Sequence, residues 1–170
     1  AGNVDALIAA QPKDLEASEI EVRLGATWLD KKYIEQFMYE TFDTPRYLRG
    51  QIEISYVPYT AEWQVSRKSM VRYNDVAAFT TYGTDRASAY RLLEDALNLR
   101  DIRIYDTIED ADGRERRVLN AKETTLAAQK QQLIRDAFKD WIWKDPERRE
   151  TLVRQYNEEM TVSYTHLTLP

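Results

Sequence analysis

The sequence predicts an α+β fold in which antiparallel hairpins pack with four or five helices. Three kinds of pattern support this prediction. Apolar residues recur at helical spacing in some segments, they alternate with polar residues in others, and short turn sequences separate the alternating segments. The longest helical pattern lies in the C-terminal half, over residues 120–145, and predicts one long amphipathic helix that the remaining elements cover.

The N-terminal part of the chain contains three segments with helical patterns. Residues 4–10 predict a short apolar helix. Within residues 14–24, Ser18 is expected to cap a second short helix that Gly25 closes. Residues 30–42 place apolar side chains at positions i, i+3, i+4, i+7 and i+8, which predicts a clear amphipathic helix.

A change to two-residue periodicity predicts a β-hairpin after these helices. Apolar and polar residues alternate over residues 51–57 and again over residues 61–65. Residues 58–60, with the sequence Pro-Tyr-Thr, are expected to form the turn that lets these strands pair. Residues 70–82 are ambiguous, and residues 76–81 within them could form a third strand.

The next segment predicts a further helix and a second hairpin. Residues 84–97 are expected to form a helix that is capped by its first residue, a threonine. Residues 102–108 and 116–119 predict two strands. The pair Asp112-Gly113 between them is a turn sequence that two-residue hairpin loops favour.

The long helix has clear start and stop signals. Asn120 can cap its first turn together with Glu123 in a capping box. Pro146 ends it, and a last helix is predicted from Glu147 to about Met160. One apolar stripe is predicted along the long helix, formed by Leu126, Leu133, Ile134, Ala137, Phe138, Trp141 and Ile142.

Composition excludes several kinds of functional site. The 170 residues contain no cysteine, so disulfides and thiolate metal sites are impossible. The only histidine is His166. Apart from this residue, the sequence offers no imidazole for a zinc site or a catalytic triad. No apolar run approaches the roughly 18 residues that a membrane-spanning helix needs. We therefore expect no membrane partner and a cytoplasmic location.

Both ends of the sequence lead us to expect a longer native protein. The chain begins without methionine, and we expect it to be a fragment of a larger protein. Residues 162–170, VSYTHLTLP, resemble the translation of a transposon-type sequencing adapter, the alternative being a native extended end. We therefore expect an accessory domain over residues 1–161 and leave residues 162–170, with His166, out of functional interpretation.

Basic and aromatic residues are interleaved in the first hairpin region. The candidates for nucleic-acid contact are Arg46, Arg49, Trp63, Arg67, Lys68, Arg72 and Tyr73, with Tyr47 beside them. Lysine and arginine neutralise phosphates, and aromatic rings stack on unpaired bases. The alternative is a hairpin whose aromatic side chains pack inward and whose charges only solubilise its outer face. Because the net charge is −5, any basic surface must be local.

Tryptophan residues form a second group of candidates. The four indoles are those of Trp28, Trp63, Trp141 and Trp143. Trp141 and Trp143 point about 160° apart around the long helix, so only one of them can share its apolar stripe. An exposed indole could dock on a neighbouring domain, and the alternative is that these indoles are buried in the fold.

The acidic residues of the second hairpin do not predict a metal site. Asp110, Asp112 and Gly113 resemble the start of a calcium-binding loop, but Leu119 stands where that loop needs a bidentate glutamate. We interpret this segment as a solvated hairpin tip. The sequence also lacks the GxxxxGK[ST] and GxGxxG motifs and an adenine-methylase NPPY motif. We therefore predict no catalytic residue, no metal and no cofactor for this chain.

Long blocks of the sequence are similar to one group of bacterial proteins. Among these blocks are YIEQFMYETFDTPRY, NDVAAFTTYGTDRASAYRLLEDALNLRDIRIYD and VLNAKETTLAAQKQQLIRDAFKDWIWKDPERRETLVRQYNE. They resemble a segment of very large proteins from conjugative elements and phages, in which an adenine-specific DNA methylase region is joined to a Swi/Snf-like superfamily-two helicase. The resemblance covers residues 3–159.

This resemblance implies a segment that lies just ahead of the helicase motor and acts as a DNA-engaging accessory domain. The implied partners are DNA and the adjacent helicase and methylase domains. ATP, Mg²⁺ and S-adenosylmethionine are implied for the complete protein, and none of the family's catalytic residues has a counterpart position here. The alternative is a structural spacer that docks on the motor without touching DNA. A third possibility, an independent metal-dependent nuclease, would need clustered carboxylates from separate elements.

Overall fold

The structure, a computed structural model, describes the backbone of residues 13–168 and the side chains of residues 13–162. The chain divides into two compact units, residues 22–142 and residues 1–21 with 143–170. The predicted α+β fold is confirmed, because two antiparallel hairpins and four α-helices lie within the described range.

The elements follow one another in the order that the sequence patterns predict. The α-helices are α1 (Lys31–Thr41), α2 (Ala89–Leu97), α3 (Ala121–Lys144) and α4 (Pro146–Thr168). The strands are β1 (Ile54–Val57), β2 (Glu62–Val65), β3 (Tyr105–Glu109) and β4 (Glu115–Leu119). The long helix of the C-terminal half is therefore confirmed as α3. Within the described range, no helix combines the length and the apolar character needed to cross a membrane.

An aromatic cluster forms the centre of the larger unit. The ring of Phe37 on α1 packs edge-on against Phe138 of α3, with ring centroids 5.1 Å apart. Phe42, just after α1, packs edge-on against Tyr90 of α2 at 5.2 Å. These four side chains are fully buried, so the core joins α1, α2 and α3.

The hairpin β1–β2 confirms the predicted alternation and lies against α1 and α2. Side chains from these helices bind its backbone N–H groups. Glu35 of α1 accepts from Ile54, and Glu94 of α2 accepts from Val65, at 2.9 and 2.8 Å. Asn98 accepts from Trp63 at 2.7 Å. These bonds stabilise a two-stranded ribbon that would be marginal alone.

The apolar stripe predicted for α3 is partly wrong. Leu126 and Leu133 are 41% and 44% exposed, whereas Ile134, Phe138 and Ile142 are fully buried. The remaining buried positions are Ala127 and Gln131. The buried face is therefore turned away from the two leucines, although it still repeats at helical spacing.

Gln131 accounts for the orientation of α3. Its side chain is 1% exposed and forms three hydrogen bonds with backbone groups. The Oε1 atom accepts from Ile102 N–H at 3.1 Å, and Nε2 donates to the carbonyls of Leu92 and Arg100 at 3.3 and 3.0 Å. A buried amide with its partners satisfied fixes the register of α3 more specifically than an apolar side chain could.

The capping box predicted at the start of α3 forms only in part. The side-chain oxygen of Asn120 accepts from Glu123 N–H at 3.0 Å, so the predicted cap is confirmed. The N–H of Asn120 donates to the carbonyl of Ile104 at 2.8 Å, not to Glu123. The start of α3 is thereby joined to the base of the second hairpin.

The helix predicted within residues 14–24 is wrong. Only Ala17–Glu19 forms a short 3₁₀ turn, and the chain then continues without a helix. Ile20, Val22 and Leu24 are each about 95% buried or more, while the residues between them are exposed. This two-residue period is typical of extended backbone, so the apolar spacing was assigned to the wrong element. The helix predicted over residues 4–10 lies outside the described residues.

Two further predictions in the middle of the chain are wrong. Ala77–Thr81 is a π-helical turn and not a strand, because Asp75 accepts from the N–H of Ala78 and starts a helical turn. The cap of α2 is Ser88, which accepts from Arg91 N–H. Thr84 closes a local turn four residues earlier by accepting from the N–H groups of residues 86 and 87.

The second hairpin, β3–β4, is confirmed, but its loop is longer than predicted. Asp110 N–H bonds to the carbonyl of Arg114, which leaves three residues in the loop. Gly113 occupies its last position with φ +80°, as three-residue hairpin loops favour. All five residues of β4 are exposed, so most of this ribbon is open to solvent.

The smaller unit is described over residues 13–21 and 143–168. Its helix α4 continues to Thr168, eight residues beyond the predicted end, because no glycine or proline interrupts the sequence before residue 170. The side chain of Asn157 binds both backbone groups of Leu15, at 2.8 and 2.9 Å. This pair of bonds joins the N-terminal segment to α4.

Candidate nucleic-acid interface

Seven basic and aromatic residues between positions 46 and 73 are exposed on the larger unit, and all of them except Arg49 and Tyr59 are grouped as one surface. Tyr47 and Tyr73 are 58% and 72% exposed, and the three arginines also face solvent. We call these residues the arginine–tyrosine surface: Arg46, Tyr47, Arg67, Arg72 and Tyr73.

Direct contacts place parts of this surface next to one another. The side chain of Gln51 donates to the carbonyl of Tyr47 at 3.0 Å and accepts from Arg67 at 3.4 Å. An open depression of about 430 Å³ is lined by Arg46 and Arg49 together with the acids Asp43 and Asp75. Asp75 N–H in turn bonds to the carbonyl of Arg72 at 3.0 Å. The loops that carry the three arginines therefore meet around one region.

A buried hydrogen bond holds the chain segment that leads to Arg46. The hydroxyls of Thr44 and Tyr90 are 2.6 Å apart, and both residues are at least 99% buried. Burial raises the pKa of Tyr90 to about 12, from an ordinary value of about 10. The contact fixes the chain two residues before Arg46.

Arg49 has a structural role that the sequence did not reveal. Its Nε donates to the carbonyl of Thr44 at 2.8 Å, and its Nη2 to that of Tyr39 at 3.5 Å. The guanidinium also lies 5.9 Å from the centre of the Tyr39 ring. Arg49 therefore binds carbonyls near the end of α1, where a cation is favoured.

Lys68 is also engaged within the fold. Its Nζ lies 2.7 Å from Glu94 Oε2, in an ion pair whose side chains are 34% and 19% exposed. The same carboxylate oxygen accepts from Val65 N–H. Binding of Lys68 to a phosphate would leave Glu94 with one partner fewer, so Lys68 is a weaker candidate than the exposed arginines.

Trp63, a predicted nucleic-acid contact, is buried in the structure. Its side chain is 5% exposed, and its ring packs against Tyr56 at 4.9 Å. The alternating pattern of β2 faces position 63 towards the core, so the indole has no open face for a base.

The two tryptophans predicted to dock on a neighbouring domain differ in their surroundings. Trp141 is half-buried, donates its indole N–H to Glu40 at 2.7 Å and packs against Phe37 at 5.7 Å. Both of these contacts lie within the larger unit. Trp143 belongs to the smaller unit, where its carbonyl accepts from Arg149 at 3.4 Å and its side chain is partly exposed.

The acids of the second hairpin bind their own loop. Asp110 accepts from the N–H groups of Asp112 and Arg114, both at 3.0 Å. Asp106 pairs with Arg86 at 2.7 Å, and this arginine holds the pKa of Asp106 below its usual value. Among residues 13–162, no three histidine, aspartate or glutamate side chains are grouped as a metal site would need.

Comparison with known proteins identifies one family. Residues 23–162 match the family described as a domain of unknown function, DUF8437, and this match covers more than half of the chain. No curated protein matches the sequence. No solved structure matches either.

Proposed function

The chain belongs to the DUF8437 family, and we propose that it is a non-catalytic accessory domain that contacts DNA within a large DNA methylase–helicase protein. In this proposal its neighbours in the same protein are the helicase and methylase domains, which use ATP, Mg²⁺ and S-adenosylmethionine in the cytoplasm. The support is the resemblance of the long sequence blocks, together with the arginine–tyrosine surface.

The observation that carries the proposal is the combination of exposed cations with exposed tyrosines in a chain of net charge −5. Within the described residues, the side chains of Arg46 and Arg72 have no hydrogen-bond or ion-pair partner, so binding a phosphate would break no native side-chain contact. In the part of the chain that the structure describes, the side chain of Arg67 has only a 3.4 Å hydrogen bond to Gln51. Tyr47 and Tyr73 provide ring faces on which unpaired bases can stack.

A triple charge reversal of the exposed arginines tests the proposal. The variant combines Arg46→Glu, Arg67→Glu and Arg72→Glu and leaves Arg49 and Lys68 in place, because those two stabilise the fold. We expect its affinity for labelled single-stranded DNA to fall by about tenfold or more at low salt. Fluorescence anisotropy measures the affinity, and circular dichroism checks that the fold is retained.

A matched variant separates a local surface from the effect of net charge. Lys31→Glu, Arg103→Glu and Lys122→Glu change the net charge equally, and all three residues are exposed on the same unit. We expect this variant to lose much less affinity than the first. Equal losses would remove the arginine–tyrosine surface from the proposal, and a wild-type chain that fails to bind DNA would remove DNA contact altogether.

The alternative is a structural spacer that docks on the helicase motor without contacting DNA. The partly exposed indole of Trp143 favours this reading over one based on Trp141, whose indole N–H is bound within the larger unit. The alternative predicts no DNA binding by the wild-type chain, together with weaker association with the motor after Trp143→Ala.

A further inference from the structure

A second concave surface lies on the larger unit, at the C-terminal end of α2. Its volume is about 390 Å³, which falls in the range of small-molecule pockets. Three parts of the chain form it: the segment before Gly25, the end of α2 and one face of α3. The lining residues are Arg23, Leu24, Ala96, Leu99, Gln132, Arg135 and Lys139.

Positive charge is concentrated in this depression. Three of its lining side chains are cationic and none is acidic, although the chain as a whole has a net charge of −5. Arg23 and Lys139 are exposed, and their side chains have no hydrogen-bond or ion-pair partner within residues 13–162. Their charges are therefore available to a ligand.

Arg135 is positioned but only weakly engaged. Its Nη1 lies 3.4 Å from Gln132 Oε1, and its Nη2 lies 3.4 Å from a carboxylate oxygen of Asp101. Both distances are long for charge-assisted hydrogen bonds, and the Asp101 side chain is 88% exposed. The guanidinium is thus oriented while it keeps donor capacity for another anion.

Leu99 provides an apolar wall in an unusual backbone conformation. It has φ +58°, at the position after α2 where glycine is the usual residue, and its side chain is 62% exposed. The N–H groups of residues 98–100 donate to the carbonyls of residues 94–96. These carbonyls at the negative end of the helix therefore have hydrogen-bond partners. Packing of the core gives no reason for a leucine here.

We propose that this depression binds a small organic anion with an apolar body. Arg135 and Lys139, with Arg23 opposite, would bind a carboxylate, sulfonate or phosphate group. Leu99 would contact the apolar part, beside the walls formed by Leu24 and Ala96. A convergent set of cations beside an apolar wall selects ligands that carry both features and disfavours those with only one. This inference does not depend on the DNA proposal.

Titration with octanoate tests the inference. In the ¹⁵N-labelled chain, we expect octanoate to shift the amide signals of Leu99, Gln132 and Arg135. Two controls are expected to bind more weakly by about tenfold at least. They are 1-octanol, which lacks the charge, and inorganic phosphate, which lacks the apolar chain. Equal binding of either control, or octanoate shifts located elsewhere, would overturn the inference.

Three variants make the test specific. Arg135→Gln with Lys139→Gln is expected to weaken octanoate binding by about tenfold, whereas Arg114→Gln with Arg116→Gln on the second hairpin should leave it unchanged. Leu99→Gly should weaken binding several-fold while the melting temperature stays equal or rises. Full affinity in the first or third variant would contradict the assignment. Displacement of octanoate by a DNA oligonucleotide would assign the site to nucleic acid instead.

Discussion

Gly25 shows how one residue shapes the depression lined by Arg23, Arg135 and Lys139, which we call the basic depression. Its φ is +91°, and a Cβ atom added there would lie 2.4 Å from the carbonyl oxygen of Leu97. A side chain at this position would therefore meet both an unfavourable backbone conformation and a backbone clash. The close approach of the preceding segment to the end of α2 depends on the absence of that atom.

We predict that Gly25→Ala lowers the free energy of unfolding by about 2 kcal/mol or more. Gly50→Ala is the matched control, because Gly50 has a similar φ of +88° but no atom within 4 Å of its added Cβ. The control should lose only about 1 kcal/mol, from backbone strain. Urea denaturation measures both losses, and equal losses would show that the contact with Leu97 is not tight.

Tyr90 predicts a dependence of stability on alkaline pH. A tyrosine in the unfolded chain has a pKa near 10, whereas burial raises that of Tyr90 to about 12. Between these values the unfolded state loses the proton first, so stability from this residue is complete below pH 10 and falls as pH rises. Tyr90→Phe lacks this proton. Between pH 10 and 11, its free energy of unfolding should decline less steeply than that of the wild type, and parallel curves would contradict the prediction.

At the residue scale, the sequence showed which residues are basic or aromatic. It did not show which of these side chains are bound within the fold. The positions of Arg49 and Lys68 in a basic stretch gave no sign that one caps α1 and the other pairs with Glu94, 26 residues away. Trp63 could have been excluded from the interface, because alternation along β2 indicated an inward direction. Arg46 and Arg72 remained as candidates because no tertiary partner competes for them within the described residues.

At the scale of elements, two variants of α3 test which face of this helix is buried. Phe138 is fully buried, whereas Leu133 is 44% exposed. We predict that Phe138→Ala lowers the free energy of unfolding by about 3–5 kcal/mol. Leu133→Ala should cost less than about 1 kcal/mol, because little apolar area leaves the core. Chemical denaturation of both variants would reject the described orientation if Leu133→Ala were the more damaging.

The two hairpins should differ in local stability although both have only two strands. Side chains of α1 and α2 bind the backbone of β1–β2, whereas β4 is exposed along its whole length. We predict that amide hydrogens of β3–β4 exchange faster than those of β1–β2. Hydrogen exchange followed by NMR checks this, and equal protection would mean that β3–β4 is supported more than its exposure indicates.

Elements with a regular apolar period could be predicted, whereas features that depend on side-chain caps or tertiary contacts could not. Eleven residues of α1 and twenty-four of α3 carry enough apolar positions to define a helical period. In residues 14–24, Ile20, Val22 and Leu24 alternate with polar residues, and this two-residue period was misinterpreted as part of a helical pattern. The π-helical turn at Ala77–Thr81 depends on a cap by Asp75, which apolar periodicity does not report. The buried stripe of α3 was misplaced because its polar member, Gln131, finds its partners only in the tertiary structure.

At the scale of the whole molecule, two features bear on function. The larger unit presents the arginine–tyrosine surface on the loops around its first hairpin, and the basic depression lies at the end of α2. The sequence identified the first feature, because its arginines and tyrosines lie close together in the chain. The second joins residues more than 100 positions apart, such as Arg23 and Lys139, and only the fold brings them together.

The central claim is that the arginine–tyrosine surface contacts DNA, and its most direct test is the salt dependence of binding. Fluorescence anisotropy with single-stranded DNA of about 20 nucleotides gives the slope of log affinity against log salt. We predict that reversing Arg46, Arg67 and Arg72 makes this slope shallower by about 2, since each lost phosphate contact removes about 0.7. The Lys31, Arg103 and Lys122 control should keep the wild-type slope. A wild-type slope near zero, or equal slopes in all three proteins, would contradict the claim.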